Sequence, residues 1–181
     1  MTPPREELAA LLAAHSPADE EEARDLESMQ GYVGALADPF SRDEAAAHFT
    51  ASAVVVDESR EHTLLVHHRR SGFWFQPGGH FEPGDATPGD AAVREAREET
   101  GLDARLDGGL LDVDVHWIPW GGHYHLDLRF LAVASGTPAP DPAEVRAAEW
   151  LTWDEAFARI DEPALRRALA KAQSGVPRRK P

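Results

Sequence analysis

Apolar positions along the chain follow two periods, and the change falls near His48. Before it, Leu8, Leu11 and Leu12, then Ala23, Leu26, Met29, Val33 and Leu36, recur at steps of three and four, the spacing of one helical stripe. Residues 1–36 therefore read as two helices, the first opened by Thr2 and Pro3 and the second by Ser16 and Pro17. Their shared stripe needs cover, either from the rest of the chain or from a second copy in a homodimer. Asp38 and Pro39 break the pattern, and a short helical turn is expected over 43–47.

From His48 the period drops to two. Residues 49–56, 63–68 and 73–76 read as strands, the last ended by Pro77, Gly78 and Gly79. A helix is predicted over Pro88–Thr100, with Thr87 as N-cap, Asp90 as the capping-box acid and Gly101 as the stop. Strands over 110–118 and 123–134 join through Trp120, Gly121 and Gly122, and a further strand near 147–151 precedes helices at 153–160 and 163–173. No internal repeat interrupts this order. It implies an α/β fold with a mixed sheet covered on both faces. The expected organisation is a helical extension over 1–45, a main domain over 46–174 and a flexible tail over 175–181.

The 181 residues suffice for one domain with a sizeable core. No apolar run reaches the length of a bilayer span. The N-terminal residues carry Glu6 and Glu7 and lack the basic leader of a secretory signal, which points to a cytoplasmic protein. With no cysteine, disulfides and thiolate metal sites are excluded. A net charge of -14 opposes a polymeric nucleic-acid partner. A small phosphate substrate would also be repelled unless carboxylate-bound divalent ions reversed the local sign. The basic run Arg178, Arg179 and Lys180 lies in the tail.

Candidate chemistry concentrates between Gly78 and Leu102. At roughly 100° per residue, Glu95, Glu98 and Glu99 share an arc of roughly 100°, while Ala92, Val93, Ala96 and Thr100 occupy roughly 60° to 160° from Glu95. One face packs and the other gathers acids that repel one another. A hard divalent ion with oxygen ligands removes that repulsion, and magnesium fits the description. The plain alternative is a solvated helix, in which Arg94 and Glu98 form an ordinary i,i+4 pair. The glycines at 78, 79 and 84 favour the first reading, because they allow close approach by a ligand or a metal.

The stretch resembles the Nudix box: Gly, five residues, Glu, seven residues, then Arg-Glu-aliphatic-x-Glu-Glu-x-Gly-aliphatic. Gly79 opens it, and Arg94-Glu95-Ala96-Arg97-Glu98-Glu99-Thr100-Gly101-Leu102 closes it. Asp85 stands where the family usually has Glu, and eight residues separate it from Arg94. The resemblance implies a Nudix-like α/β/α sandwich and Mg2+- or Mn2+-dependent hydrolysis of a phosphoanhydride bond in a nucleoside diphosphate-linked substrate. Carried over by position, the metal ligands are Glu95, Glu98, Glu99, the Gly79 carbonyl and Asp85. Glu95 is alternatively the base that orients water, and Arg94 holds a neighbouring carboxylate.

The later hairpin offers a polar face. Asp112, Asp114 and His116 alternate with apolar residues on its first strand, and His123, His125, Asp127 and Arg129 do so on its second. This is either a solvent face or the wall of a substrate cleft with Arg129 on phosphate. His80, next to Gly79, and His125 are further candidate substrate contacts. His67, His68 and His80 flank the box without helical metal-ligand spacing, which favours hydrogen-bonded histidines over a histidine metal site. Trp74, Trp117, Trp120 and Tyr124 are candidate base-stacking rings, though core packing is commoner, and Glu144 is a candidate loop carboxylate. Two other functions compete with the hydrolase: a nucleotide-binding module that has lost catalysis, and a scaffold that dimerises through its helical hairpin.

Overall fold

The structure, a computed structural model, describes residues 3–143 and 145–175. Glu144 and the basic tail thus lie outside the described residues. In chain order the elements are α1 (Arg5–Ala14), α2 (Glu20–Ala35), β1 (Ala47–Val56), β2 (His62–His68), β3 (Trp74–Phe75), β4 (Gly78–His80) and α3 (Pro88–Thr100), followed by β5 (Arg105–Ile118), β6 (His123–Val133), β7 (Val145–Thr152), α4 (Trp153–Arg159) and α5 (Pro163–Ser174).

Helix α3 has the predicted ends. The Thr87 side chain accepts from the Asp90 amide, Asp90 accepts from the Thr87 amide, and Gly101 adopts the left-handed conformation at φ 73°. Helix α2 starts later than Ser16 and Pro17 suggest. Its cap is Asp19, whose carboxylate accepts from the Glu22 amide at 2.8 Å. Residues 43–47 form no helical turn, because Ala47 is already drawn into β1 by its pairing with Tyr124.

Among the described residues seven strands form one mixed sheet, with the order β3-β2-β1-β6-β5. Central β1 runs parallel to β6 along its whole length. Its other edge is shared: β4 pairs antiparallel at Thr50–Ser52, and β2 pairs only at Val55 and Val56, while β7 pairs with β2 from His62 to His68. Phe49, Ala51, Ala53 and Val55 pack on one face with Ala92 and Ala96 of α3 and with Leu8, Leu12, Leu26 and Met29 of the first two helices. The stripe of α1 and α2 is therefore covered by this chain's own core. On the other face Val54 and Val56 pack against Leu165 and Leu169 of α5. The result is an α/β/α sandwich.

The predicted stripe differs at one position. Ala23 is exposed, and Glu22 faces inward instead with 0% exposure. Its carboxylate accepts from Ala18 N at 2.6 Å and Val113 N at 3.3 Å, meets the His15 ring at 2.7 Å and pairs with Lys171. Strand β5 is the sheet edge, and Arg167 and Lys171 donate to its Val113 and Leu111 carbonyls, each at 2.9 Å. Charged side chains from α2 and α5 thus occupy backbone groups that would otherwise invite another strand.

Candidate active site

Sheet register builds a polar floor. His48 lies across from His125 and His116; His80, Thr50, Asp127 and Asp114 form the next row; Ser52, Arg129 and Asp112 form the third. The two polar faces of the hairpin coincide from Asp112 onward, beyond a bulge at Leu111. Above the floor opens a cleft of about 650 Å³, to which Glu95, Glu99, Gly78, Gly79, His80 and His125 all contribute.

Helix α3 packs against β4 with its acids turned inward. Glu95 and Glu99 are only 8% and 7% exposed, so the solvated-helix reading fails for them. The helical geometry accounts for this, because Glu99, roughly 40° from Glu95, borders Ala92 on the packing face. Glu99 accepts from the Gly78 amide at 3.0 Å. Burial pushes the Glu95 carboxyl up to about 7, against the opposing pull of Arg94. Glu98 is exposed and does not line the cleft; it lies 2.8 Å from Arg94.

Arg94 organises this corner. It donates to Glu95 Oε1 at 3.1 Å, to Glu98 Oε2 at 2.8 Å and to the His80 carbonyl at 2.7 Å. Its remaining bonds form a bidentate fork, with Nε and Nη2 each 3.0 Å from the two oxygens of Asp85. Asp85 Oδ2 also accepts from the Glu82 amide at 2.7 Å. Both Asp85 oxygens therefore accept bonds within the protein, and Asp85, expected among the metal ligands, is tied to Arg94.

Arg129, expected on phosphate, is likewise tied within the protein. It is 3% exposed and donates to Asp127 at 3.1 Å, Asp112 at 3.3 Å and Asp114 at 2.7 Å. Its guanidinium is locked among the floor's carboxylates and does not line the cleft. The expected solvent face is likewise absent there, since Asp112, Asp114 and Asp127 are buried. His80 and His125 do line the cleft, and burial pushes their rings down to about 3 and about 2, so both are neutral.

The aromatic candidates divide. Trp74 stacks on His67 and lies under Arg159, which removes both faces from ligand use. Trp117 and Trp120 line the cleft and stay half exposed, with Tyr124 against Trp117. Sequence reasoning missed Arg42, Ser52 and Gln76 as lining residues. Gln76 donates to Ser52 and Asp127, each at 3.1 Å, while its own carbonyl oxygen is buried without a partner. The polar run His48, Thr50 and Ser52 on one face of an apolar strand was a usable signal; Arg42 had none.

The donors fit a hard divalent ion. Carboxylates and the glycine backbone are oxygen ligands, and Glu95, buried and raised in pKa, gains from a nearby cation. A Cβ at residue 79 would come within 2.6 Å of the Glu95 carboxyl, so a side chain there would occupy the acid's space.

Known proteins resemble this chain in sequence and fold. A curated relative from Lactococcus lactis subsp. cremoris (strain MG1363), named probable DHNTP pyrophosphohydrolase, is 35% identical over 88 residues, 45% of this chain and 51% of the relative. The chain thus matches about half the length of that relative. A NUDIX-family hydrolase structure from Clostridium perfringens shares 25% identity and a TM-score of 0.58 over 70% of this chain and 97% of its own. The structure of a UDP-X diphosphatase shares the fold at 18% identity and a TM-score of 0.56, over 94% of this chain and 92% of its own. The family model for the NUDIX domain matches residues 47–172, from the first strand into the last helix, and the chain belongs to the NUDIX family of hydrolases.

Proposed function

We propose that the protein is a metal-dependent pyrophosphohydrolase that cleaves a phosphoanhydride bond in a small nucleoside diphosphate-linked molecule. The observation that carries this reading is the burial of Glu95 and Glu99 against Gly78 and Gly79 at the wall of the cleft. Glu95, Glu98, Glu99 and the Gly79 carbonyl would hold Mg2+ or Mn2+. Bound there, the ion would make water a better nucleophile and would offset charge on the phosphate oxygens. Glu95 takes the water's proton at its carboxylate as the water oxygen bonds to phosphorus, and the bridging oxygen leaves with the second phosphate. Arg94 fixes the Glu95 carboxylate through its bond to Oε1. His80 and His125 contact the substrate as neutral rings. The cleft, about 650 Å³, suits a nucleotide-sized molecule. Half-exposed Trp117 and Trp120 offer stacking surfaces, and the unpartnered Gln76 oxygen offers an acceptor.

A screen of nucleoside triphosphates, sugar nucleotides, ADP-ribose and dinucleoside polyphosphates, read by phosphate release with coupled phosphatase, tests the proposal. Turnover should require Mg2+ or Mn2+ and collapse in Glu98→Gln and Glu99→Gln. Normal rates in those variants would overturn the assignment. A binding module without turnover is the second reading, favoured by the closure of Asp85 onto Arg94 and the turn of Glu98 toward the same guanidinium. Tight nucleotide binding with no hydrolysis across the panel would select it.

A further inference from the structure

The floor of the sheet carries a second constellation, of which the hydrolytic reading uses only His125. His48 and His125 are direct neighbours across the parallel β1–β6 pair, and His123 follows on the same face of β6. Ring centroids lie 4.6 Å apart for His48 and His123, 5.0 Å for His48 and His125, and 5.2 Å for His123 and His125. One donor nitrogen from each ring falls within 4.8 Å of the other two.

These rings lack the hydrogen bonds that buried histidines ordinarily make. His48 is 1% exposed, and neither of its ring nitrogens has a partner. A contact with the Glu44 backbone falls short of hydrogen-bond geometry. His123 Nε2 and His125 Nε2 are also buried and unpartnered. Leaving buried polar groups unsatisfied is costly, so an apolar packing role explains the cluster poorly. Burial and the neighbouring rings keep His48 and His125 in the neutral form, the form that ligates metal.

We propose that His48, His123 and His125 form a nitrogen-ligated site for a transition ion of the Zn2+ class, separate from the carboxylate site on α3. Three imidazoles and an open fourth position match the preference of such ions, whereas Mg2+ prefers oxygen. Closing to bonds of roughly 2.0–2.1 Å requires only a small inward movement of the rings. Arg42 lies close enough to act on His48 and His80, and its charge works against a weakly held cation. That leaves ions with strong nitrogen affinity. His80, 5.0 Å from both His48 and His125, stands beside the trio on the cleft side and borders the fourth position. Gly121 backs the His123 ring, since a Cβ there would come within 2.3 Å of it.

The test uses the full chain, stripped with chelator and dialysed, with Zn2+, Co2+ and Mg2+ as probes in calorimetry and visible absorption. One Zn2+ or Co2+ should bind per chain, with excess Mg2+ failing to displace it. The same uptake should persist in the Glu95→Gln/Glu98→Gln/Glu99→Gln variant, so loss of hydrolysis and loss of this site are read separately. His123→Asn and His125→Asn should each weaken uptake by about tenfold or more. Uptake lost in the glutamate variant, or unchanged in both histidine variants, would overturn the site. In the unsubstituted chain, side-chain nitrogen NMR should shift three imidazoles on adding Zn2+. No shift overturns the proposal without reliance on any variant's folding.

Discussion

Gly79 and Glu95 compete for one space: a Cβ on residue 79 would lie 2.6 Å from the Glu95 carboxyl carbon and both of its oxygens no farther than 2.7 Å. Glu95 cannot retreat freely, because Arg94 holds Oε1 and the side chain is buried. Gly79→Ala should therefore displace the carboxylate and reduce hydrolysis by about tenfold or more, since misplacement by an ångström can cost more than that. Circular dichroism should show unchanged helix content, because the strain is local. A normal rate would mean that Glu95 has room the structure does not give it.

Arg94→Lys should behave as a severe change. The guanidinium serves two Asp85 oxygens, Glu95, Glu98 and the His80 carbonyl at once. An ammonium is a point donor and cannot reproduce the fork to Asp85. We expect kcat to fall about 10- to 100-fold, the range seen when groups orienting a metal site are lost, together with a lower melting temperature. The kinetic assay and a thermal melt of the same sample check both. A variant with normal kcat would show that Arg94 orders only the loop.

Much of this was legible in the sequence, and the failures share a cause. Helix α3 was readable to its caps because Thr87, Asp90 and Gly101 act within one turn of the backbone. The acids of Glu95, Glu98 and Glu99 followed from helical period alone. What the sequence hid were distances across the sheet. Asp85 and Arg94 are nine residues apart, and only the folded loop shows that the aspartate is bonded to the arginine. The floor pairs β1 with β6 some 77 residues away, as in the Thr50–Asp127 bond, so alternation alone could not separate solvent from interior. Glu22 was missed for the same reason: its partners Val113, Arg167 and Lys171 lie far along the chain.

Glu22 should make the fold sensitive to acid. Burial pushes its carboxyl up, but bonds from Lys171, the Ala18 amide and His15 outweigh this and bring it from 4.5 to about 2. The folded state thus holds the proton less tightly than the unfolded chain. Its contribution is fully present above pH 4.5 and is lost as pH falls toward 2. The shift corresponds to roughly 3 kcal/mol. Glu22→Gln should lower stability at neutral pH by about that order and flatten the fall in stability between pH 4.5 and pH 2, measured by urea unfolding across that range. An unchanged acid limb would mean that the α2–β5 contact is held by apolar packing alone.

Arg129 discriminates between a ligand contact and a structural tie. A residue that binds phosphate at a cleft wall loses affinity when truncated, raising KM while stability stays near normal. Arg129 is placed otherwise: its three donor groups face Asp112, Asp114 and Asp127, and it is 3% exposed. Removing it leaves three buried carboxylates without their shared counter-ion, a change that typically costs about 3–5 kcal/mol. Asp112 keeps Arg167 and Lys171, but Asp127 keeps only neutral donors from Thr50, Ser52 and Gln76 among the contacts described. Arg129→Ala should therefore lower the melting temperature by many degrees, while the fraction that folds retains a KM near that of the parent. Because Asp127 and Ser52 also line the cleft, any residual kinetic effect should appear as disorder in that wall, recovered in part by Asp127→Asn in the same chain. A stable Arg129→Ala protein with a sharply raised KM would reverse the argument and return the guanidinium to the substrate.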